Sequence, residues 1–170
     1  DPQPFAAVDE RMRQQGITIL TYPELAAADP LWQRKCYAMQ SETMVGMPRV
    51  TTQNNRSFEQ YVQQIFEKSS FIPEAFFVAL DQGRYVGLSN LTNENDDPTC
   101  LSTDYTGVVS SYRQRGIATA LKLRCLQYAK AHGVRTIVTG NDETNPMYQL
   151  NLTLGFKPTP AELFFEMRGH

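Results

Sequence analysis

Residues Gly107 to Leu121 read GVVSSYRQRGIATAL. A short apolar strand runs into a loop with two arginines and a glycine, and the loop opens a helix. The first N–H groups of a helix lack intrahelical partners and lie at the positive end of the aligned peptide dipoles, so anions collect there. Arg113 and Arg115 add fixed charge and forked donors. Gly116 removes the side chain that would hold an anion off the backbone, and small Ala118 lets the helix start close to the strand. The junction suits a phosphate group. It is neither of the familiar nucleotide loops, because the chain has no GxxxxGK followed by Ser or Thr and no GxGxxG.

Arg113, Gly116 and Ala118 form an RxxGxA pattern after Val108, and it resembles the Q/RxxGxG/A pyrophosphate motif of the GNAT acyltransferase superfamily. A second stretch, VRTIVTGNDETNPMYQLNLTLGF at residues 134–156, reads as a short strand, an Asn-containing loop and a short helix ending in LGF. That order matches the closing part of GNAT domains. Thr139, Asn141, Asn145, Met147, Asn151 and Leu154-Gly155-Phe156 are most similar to the branch that contains mycothiol synthase and tandem-repeat acetyltransferases. Together the two segments span most of residues 101–158.

The resemblance implies an α/β (α+β) GNAT fold: a mixed, mostly antiparallel central sheet of six to seven strands, helices on both faces, and a splayed parallel strand pair holding acyl-CoA. It implies acetyl-CoA as co-substrate and no metal. Backbone contacts to pantetheine fall on Thr106, Val108 and Val109, where amides of the arm satisfy exposed strand groups as an added strand would. Pyrophosphate contacts fall on Arg113, Gln114, Arg115, Gly116, Ile117, Ala118 and Thr119. Asn141 and Asn145 sit where family loops approach the cofactor, with a turn residue and a helix cap as the competing readings.

The implied reaction is attack of a neutral primary amine, on a small molecule or peptide, at the acetyl thioester. It needs a base for the amine, donors for the oxyanion and a partner for the departing sulfur. The N–H near Val108 or Val109 is the expected oxyanion donor. Asp104 is the candidate base because alternation puts it on one strand face with Thr106 and Val108, and the competing reading is a surface carboxylate. Many GNATs carry a Tyr as general acid three residues before the Leu of the LGF ending, where this chain has Asn151. An amide donates a hydrogen bond to sulfur but supplies no proton at neutral pH. Tyr148 is the nearest phenol in sequence. The departure leaves a second reading open, a non-catalytic acyl-CoA-binding domain of a larger tandem protein.

Composition agrees with one soluble globular domain over residues 15–170, preceded by a polar extension or linker at 1–14. The chain has 170 residues, 41% hydrophobic and 20% charged, with formal net charge −2. That balance gives no general attraction to nucleic acid or an anionic membrane. No apolar run approaches the ~18 residues of a membrane span, and the first residues, DPQPFAAVDERMRQQG, lack the apolar centre of a signal peptide, so a cytoplasmic location is expected. The first residues, DPQP, lack an initiating Met and suggest a trimmed chain or a segment of a longer one. A homodimer or a tandem partner domain stays open. The three cysteines show no CxxC spacing and read as reduced and structural, and two histidines make no zinc ligand set.

Outward from the phosphate loop, Ile17 to Leu20 reads as an edge strand. Pro23 to Ser41 reads as helical with a restart at Asp29-Pro30, and residues 43–56 read as a loop. Ser57 and Gln60 have capping-box spacing ahead of Phe58, Tyr61, Val62, Ile65 and Phe66, which predicts an amphipathic helix. Phe76 to Leu80 and Tyr85 to Leu91 predict a hairpin around DQGR, and Cys100 to Val109 a long strand. A helix follows from about Gln114 to Ala131 with Lys122, Arg124 and Lys130 on a solvated face, stopping at Gly133. Val134 to Thr139 predicts a strand parallel to its predecessor, Asn145 a helix cap, and Phe156 with Leu163 to Met167 the last strands. Met44, Met47, Pro48, Phe164 and Phe165 are the expected acceptor walls by fold analogy.

Overall fold

The computed structural model describes residues 3–44, 56–93, 97–141 and 145–159. In chain order its elements are α1 (Gln3–Gln14), β1 (Ile17–Thr21), α2 (Tyr22–Ala28), α3 (Trp32–Met44), α4 (Phe58–Ile65), β2 (Phe71–Asp81), β3 (Arg84–Thr92), β4 (Cys100–Val108), α5 (Ile117–Ala131), β5 (Thr136–Val138) and α6 (Pro146–Thr153). The chain forms two compact units, residues 1–139 with the sheet and residues 140–170 with α6.

Local chemistry explains most boundaries. The break between α2 and α3 falls at Asp29-Pro30, where the Asp29 carboxylate accepts from the Leu31 N–H at 2.9 Å. Ser57 caps α4 by accepting from the Gln60 N–H at 3.2 Å, while Gln60 Oε1 accepts from the Ser57 N–H at 2.8 Å, so two orphan donors are satisfied reciprocally. Between β2 and β3 only Gln82 and Gly83 turn the chain, with φ of +46° and +85°. Two left-handed residues in a row match the right-handed twist of the flanking strands. The helix expected from Gln114 starts at Ile117 instead, because Gln114 and Gly116 take φ of +60° and +84°, outside the helical well.

The sheet order is β1-β2-β3-β4-β5, antiparallel except for the β4–β5 pair. Helix α5 makes the crossover between those parallel strands. The described residues contribute five strands rather than six to seven. Phe156 lies in irregular chain after α6, and the last strand expected at 163–167 falls outside the described residues.

Each sheet face carries its own core. Val86, Leu91, Leu101 and Val108 meet Met12 of α1 and Ile117, Leu121 and Cys125 of α5. Val78, Leu88 and Val109 meet Leu25, Trp32, Cys36 and Tyr61 from α2, α3 and α4. Phe66, just past α4, stacks edge-on against Trp32 and Phe76 with centroids 4.8 and 5.4 Å apart. All three cysteines are free thiols, and burial pushes the Cys125 thiol up to about 11.

Two expectations need correction here. Residues 3–14, read as a polar extension, form α1, because Phe5, Val8 and Met12 line one helical stripe and Met12 is buried on the α5 side of the sheet. Lys122, read as solvated, is 3% exposed, and desolvation holds its ammonium below the ordinary lysine range. Burial on α5 extends past the sheet-facing stripe to Lys122 and Leu123.

Replacing Ser57 by Ala removes the α4 cap while leaving the apolar face intact. The expected loss is about 1 kcal/mol, read as a lower denaturation midpoint at an unchanged slope.

Candidate active site

Strand β4 is paired with β3 along its length but with β5 only at Cys100, Leu101 and Ser102. From Thr103 onward its other edge has no strand beside it among the described residues. Hydrogen-bond parity says which peptides that edge presents. The Val109 N–H donates to the Val86 carbonyl at 3.0 Å, so the Gly87–Val108 pair is a non-hydrogen-bonded one and the peptide groups of Val108 point away from β3. Two residues back, Thr106 opposite Ser89 has the same parity. Thr106 thus offers a backbone donor and acceptor to the open edge, and Val108 its N–H, since Arg113 holds the Val108 carbonyl. Val109, expected as a cofactor contact and oxyanion donor, has its N–H committed inside the sheet.

The register skips one residue between Asn90 and Leu91, which face Tyr105 and Thr103, so Asp104 is the extra residue of a β-bulge. The bulge breaks the alternation on which the reading of Asp104 rested. Leu101 and Val108 point to the α5 side, where Thr106 Oγ1 lies 2.8 Å from Ser89 Oγ, whereas Tyr105 packs on the α3–α4 side. The exposed Asp104 carboxylate accepts from Asn90 Nδ2 at 3.1 Å, and Asn90 shares its face with Leu88 of the α3–α4 core. Asp104 therefore stands on the opposite face from Thr106 and Val108.

The mouth of α5 is uncapped. Its N-cap, Gly116, has no side chain to offer, in contrast to Ser57 on α4 and Asn145 on α6. The N–H groups of Ile117, Ala118 and Thr119 precede the first helical bond, which runs from the Ala120 N–H to the Gly116 carbonyl. The two loop arginines serve different ends. Arg113 donates from Nε to the Val108 carbonyl and from Nη2 to the Thr43 carbonyl, both at 3.1 Å, and so ties the end of α3 to β4. Arg115 donates to Gln15 Oε1 at 3.1 Å and lies 4.8 Å above the Tyr112 ring. Gln114 supplies a left-handed backbone turn.

An open strand edge beside an uncapped helix mouth is the arrangement that the comparisons with known proteins bear on. The profile of the acetyltransferase (GNAT) family matches residues 35–156. The chain belongs to the GNAT acetyltransferase family.

Among solved structures, this GNAT chain is similar to the aminoglycoside N-acetyltransferase AAC(6')-Iy in complex with a CoA bisubstrate analogue, at 18% identity and TM-score 0.63, over 90% of this chain and 99% of that one. It is similar to an N-acetyltransferase from Staphylococcus aureus Mu50 at 22% identity and TM-score 0.64, over 83% of each chain. A ribosomal-protein-alanine N-acetyltransferase from Escherichia coli aligns at 15% identity and TM-score 0.60, over 85% of this chain and 79% of that one. These identities speak for a shared fold. No sequence among the curated proteins matches the chain. Family membership makes the protein an N-acetyltransferase by class. Among the described residues, no helix is long and apolar enough to cross a membrane and no His, Cys, Asp and Glu group gathers for a metal ion.

The second unit holds the remaining expected site residues of this GNAT protein. Asn145 accepts from the Met147 N–H at 2.9 Å, so its amide oxygen serves as the α6 cap. Asn141 lies in irregular chain after β5. Tyr148 is half-buried, and Asn151, one helical turn on, is buried with no partner for its Oδ1 among the described residues.

One residue at the α5 mouth escaped the sequence reading. Arg11 of α1 holds its guanidinium over Gly116, with Cζ and Nη1 3.4 Å from where a Cβ on that glycine would stand. The Phe5, Val8, Met12 spacing was the available signal for the helix that carries it.

Lys at position 113 offers one ammonium in place of the fork that spans two carbonyls. The Arg113→Lys change is expected to cost about 1 kcal/mol, measured by thermal unfolding, since the group is solvent-accessible and its two bonds are partly replaced by water.

Proposed function

We propose that the protein transfers the acetyl group of acetyl-CoA to a primary amine of a small molecule or peptide, by direct attack on the thioester. The observation that carries this reading is the juxtaposition of the unpaired β4 edge with the uncapped mouth of α5. A pantetheine arm carries two amides and fits the edge at Thr106 and Val108, while the diphosphate it ends in fits the N–H groups of Ile117 to Thr119 and the positive loop with Arg113, Gln114, Arg115 and Gly116. The acceptors named for the similar structures, an aminoglycoside and a ribosomal-protein alanine, are chemically diverse amines, and they support the reaction class without choosing between small molecule and peptide.

In the reaction, the amine nitrogen bonds to the thioester carbonyl carbon and the resulting oxyanion accepts from the Val108 N–H, which faces away from β3. Asp104 removes the proton of the amine, directly or through water. One carboxylate oxygen of Asp104 is oriented by Asn90 and the group is exposed at the bulge, which leaves it accessible to an acceptor arriving on the α3–α4 face. Backbone recognition of the cofactor asks little of the strand's side chains, consistent with a run as plain as TGVV.

Purified protein is expected to bind acetyl-CoA in calorimetry and to release CoA with at least one amine in a panel of aminoglycosides, polyamines, amino acids and short peptides. Binding without an acetylated product across the panel, followed by mass spectrometry, would favour a passive acyl-CoA-binding domain. ATP competing as strongly as CoA would point to a general nucleotide site.

Two substitutions probe the parts separately. Gly116→Glu places a like charge and a strained left-handed residue at the phosphate position and is expected to abolish acetyl-CoA binding. Asp104→Asn is expected to leave that binding intact while lowering kcat/KM by roughly 100-fold.

A further inference from the structure

Expulsion of a thiolate calls for a proton or a strong hydrogen-bond donor at sulfur. The phenols of the first unit narrow the choice. Tyr37 donates to the Arg56 carbonyl, Tyr85 to Asp29 and Tyr112 to Asp81, and Tyr61 is wholly buried within the α3–α4 core. Tyr105 differs in place. It is half-buried, and the bulge at Asp104 turns it onto the face where that carboxylate stands.

Its ring folds back along β4. A Cβ on Gly107 would lie 2.5 Å from Tyr105 Oη and 2.7 Å from Cε1, so the absence of a side chain at 107 is what lets the hydroxyl rest against the strand there. Gly107 stands between Thr106 and Val108, the two residues whose peptide groups face the open edge. A thioester whose carbonyl is held by the Val108 N–H lies within one residue of this hydroxyl.

The proton count around the hydroxyl is definite. Thr43 Oγ1 lies 2.6 Å from the Gln40 carbonyl, which can only accept, so Thr43 donates there. Thr43 Oγ1 and Tyr105 Oη are 2.5 Å apart, and with the threonine proton engaged the phenol is the donor. Tyr105 thus rests on a neighbour that can reverse the hydrogen bond, since Thr43 turned from Gln40 donates to a phenolate. The charged groups in electrostatic reach are Arg113, bonded to the Thr43 carbonyl, and Arg56, whose guanidinium sits 4.7 Å over the Tyr61 ring, with Asp104 and Tyr61 completing the titratable set. Burial holds the phenol above its ordinary range, so it is protonated at neutral pH, while Thr43 and the two arginines favour the phenolate.

We propose that Tyr105 donates the proton to the departing CoA sulfur, the task that the tyrosine absent at Asn151 leaves open. This rests on the acetyl-transfer reading of the site. As the tetrahedral adduct collapses, the C–S bond breaks with its electron pair on sulfur, the Tyr105 proton moves to that sulfur, and Thr43 turns its hydroxyl to the phenolate. The nitrogen proton goes to Asp104, and water carries it back to Tyr105, so the products are amide and free thiol with no net proton change.

The test needs no acceptor. CoA bound to the wild-type protein and to Tyr105→Phe is titrated with pH, following the ultraviolet absorbance of the thiolate. A donor at sulfur lowers the pH at which the bound thiol ionises, so the Phe variant is expected to need roughly tenfold less acid, a midpoint about one unit higher, at unchanged CoA affinity. Thr43→Val removes the resting acceptor, which frees the phenol proton for sulfur in the resting state, and is expected to lower the midpoint in the same assay. With any active amine, kcat of the Phe variant is expected to fall roughly 100-fold at unchanged KM for acetyl-CoA. Coincident titration curves for wild type and the Phe variant, both binding CoA, overturn the role of Tyr105 and leave the acetyl-transfer reading standing. Absence of CoA binding by the wild type overturns that reading and this role with it.

Discussion

Strand β4 loses its parallel partner after Ser102, and the rest of the site follows from that. An interior strand whose second edge is bare exposes peptide groups that need hydrogen-bond partners, and water or a ligand backbone must provide them. The three residues of β5 are too few to cover nine in β4. What remains is a strand edge without a strand partner among the described residues, leading into the loop before α5. The chain leaves the mouth of α5 uncapped by placing glycine at the N-cap, and the proposed cofactor path joins the strand edge to that mouth.

The bulge at Asp104 sets which side chains share a face of β4. Without it, Asp104 and Tyr105 would fall on opposite faces by simple alternation. The extra residue lets both serve the α3–α4 side, one held by Asn90 and the other by Thr43. Arg113 then fixes the two supports against each other, because its fork binds the carbonyl that ends β4 and the carbonyl of the residue that receives the Tyr105 proton. A signature arginine that reads as a phosphate ligand in isolation is also a brace for the strand. This places a cation beside the strand edge without giving it the freedom of a solvated side chain.

Much of this was legible in the chain. The RxxGxA loop, the Asn145-Pro146 and Ser57–Gln60 caps, the DQGR turn and the break at Asp29-Pro30 are local signals, and each works through two to four neighbouring residues. Their outcomes therefore appear where the sequence puts them. The strand count, the helix at 3–14 and the burial of Lys122 were read less well. They depend on what packs against a segment from far along the chain, and polar spacing within the segment says little about that. The face of Asp104 was misread for a related reason. Period-two alternation is a rule for unbroken strands, and a bulge is set by the register of the partner strand.

The sequence by itself determined a strand–loop–helix junction fit for phosphate, the family it belongs to, and where α2, α3, α4 and α6 start, because caps and turn residues act through bonds to their nearest neighbours. Tertiary structure decided which way the peptides of Thr106, Val108 and Val109 face, which side of the sheet Asp104 and Tyr105 occupy, and that Arg11 joins the α5 mouth. Those are matters of inter-strand register and helix packing, and they are fixed only when segments many residues apart come to share hydrogen bonds and a core.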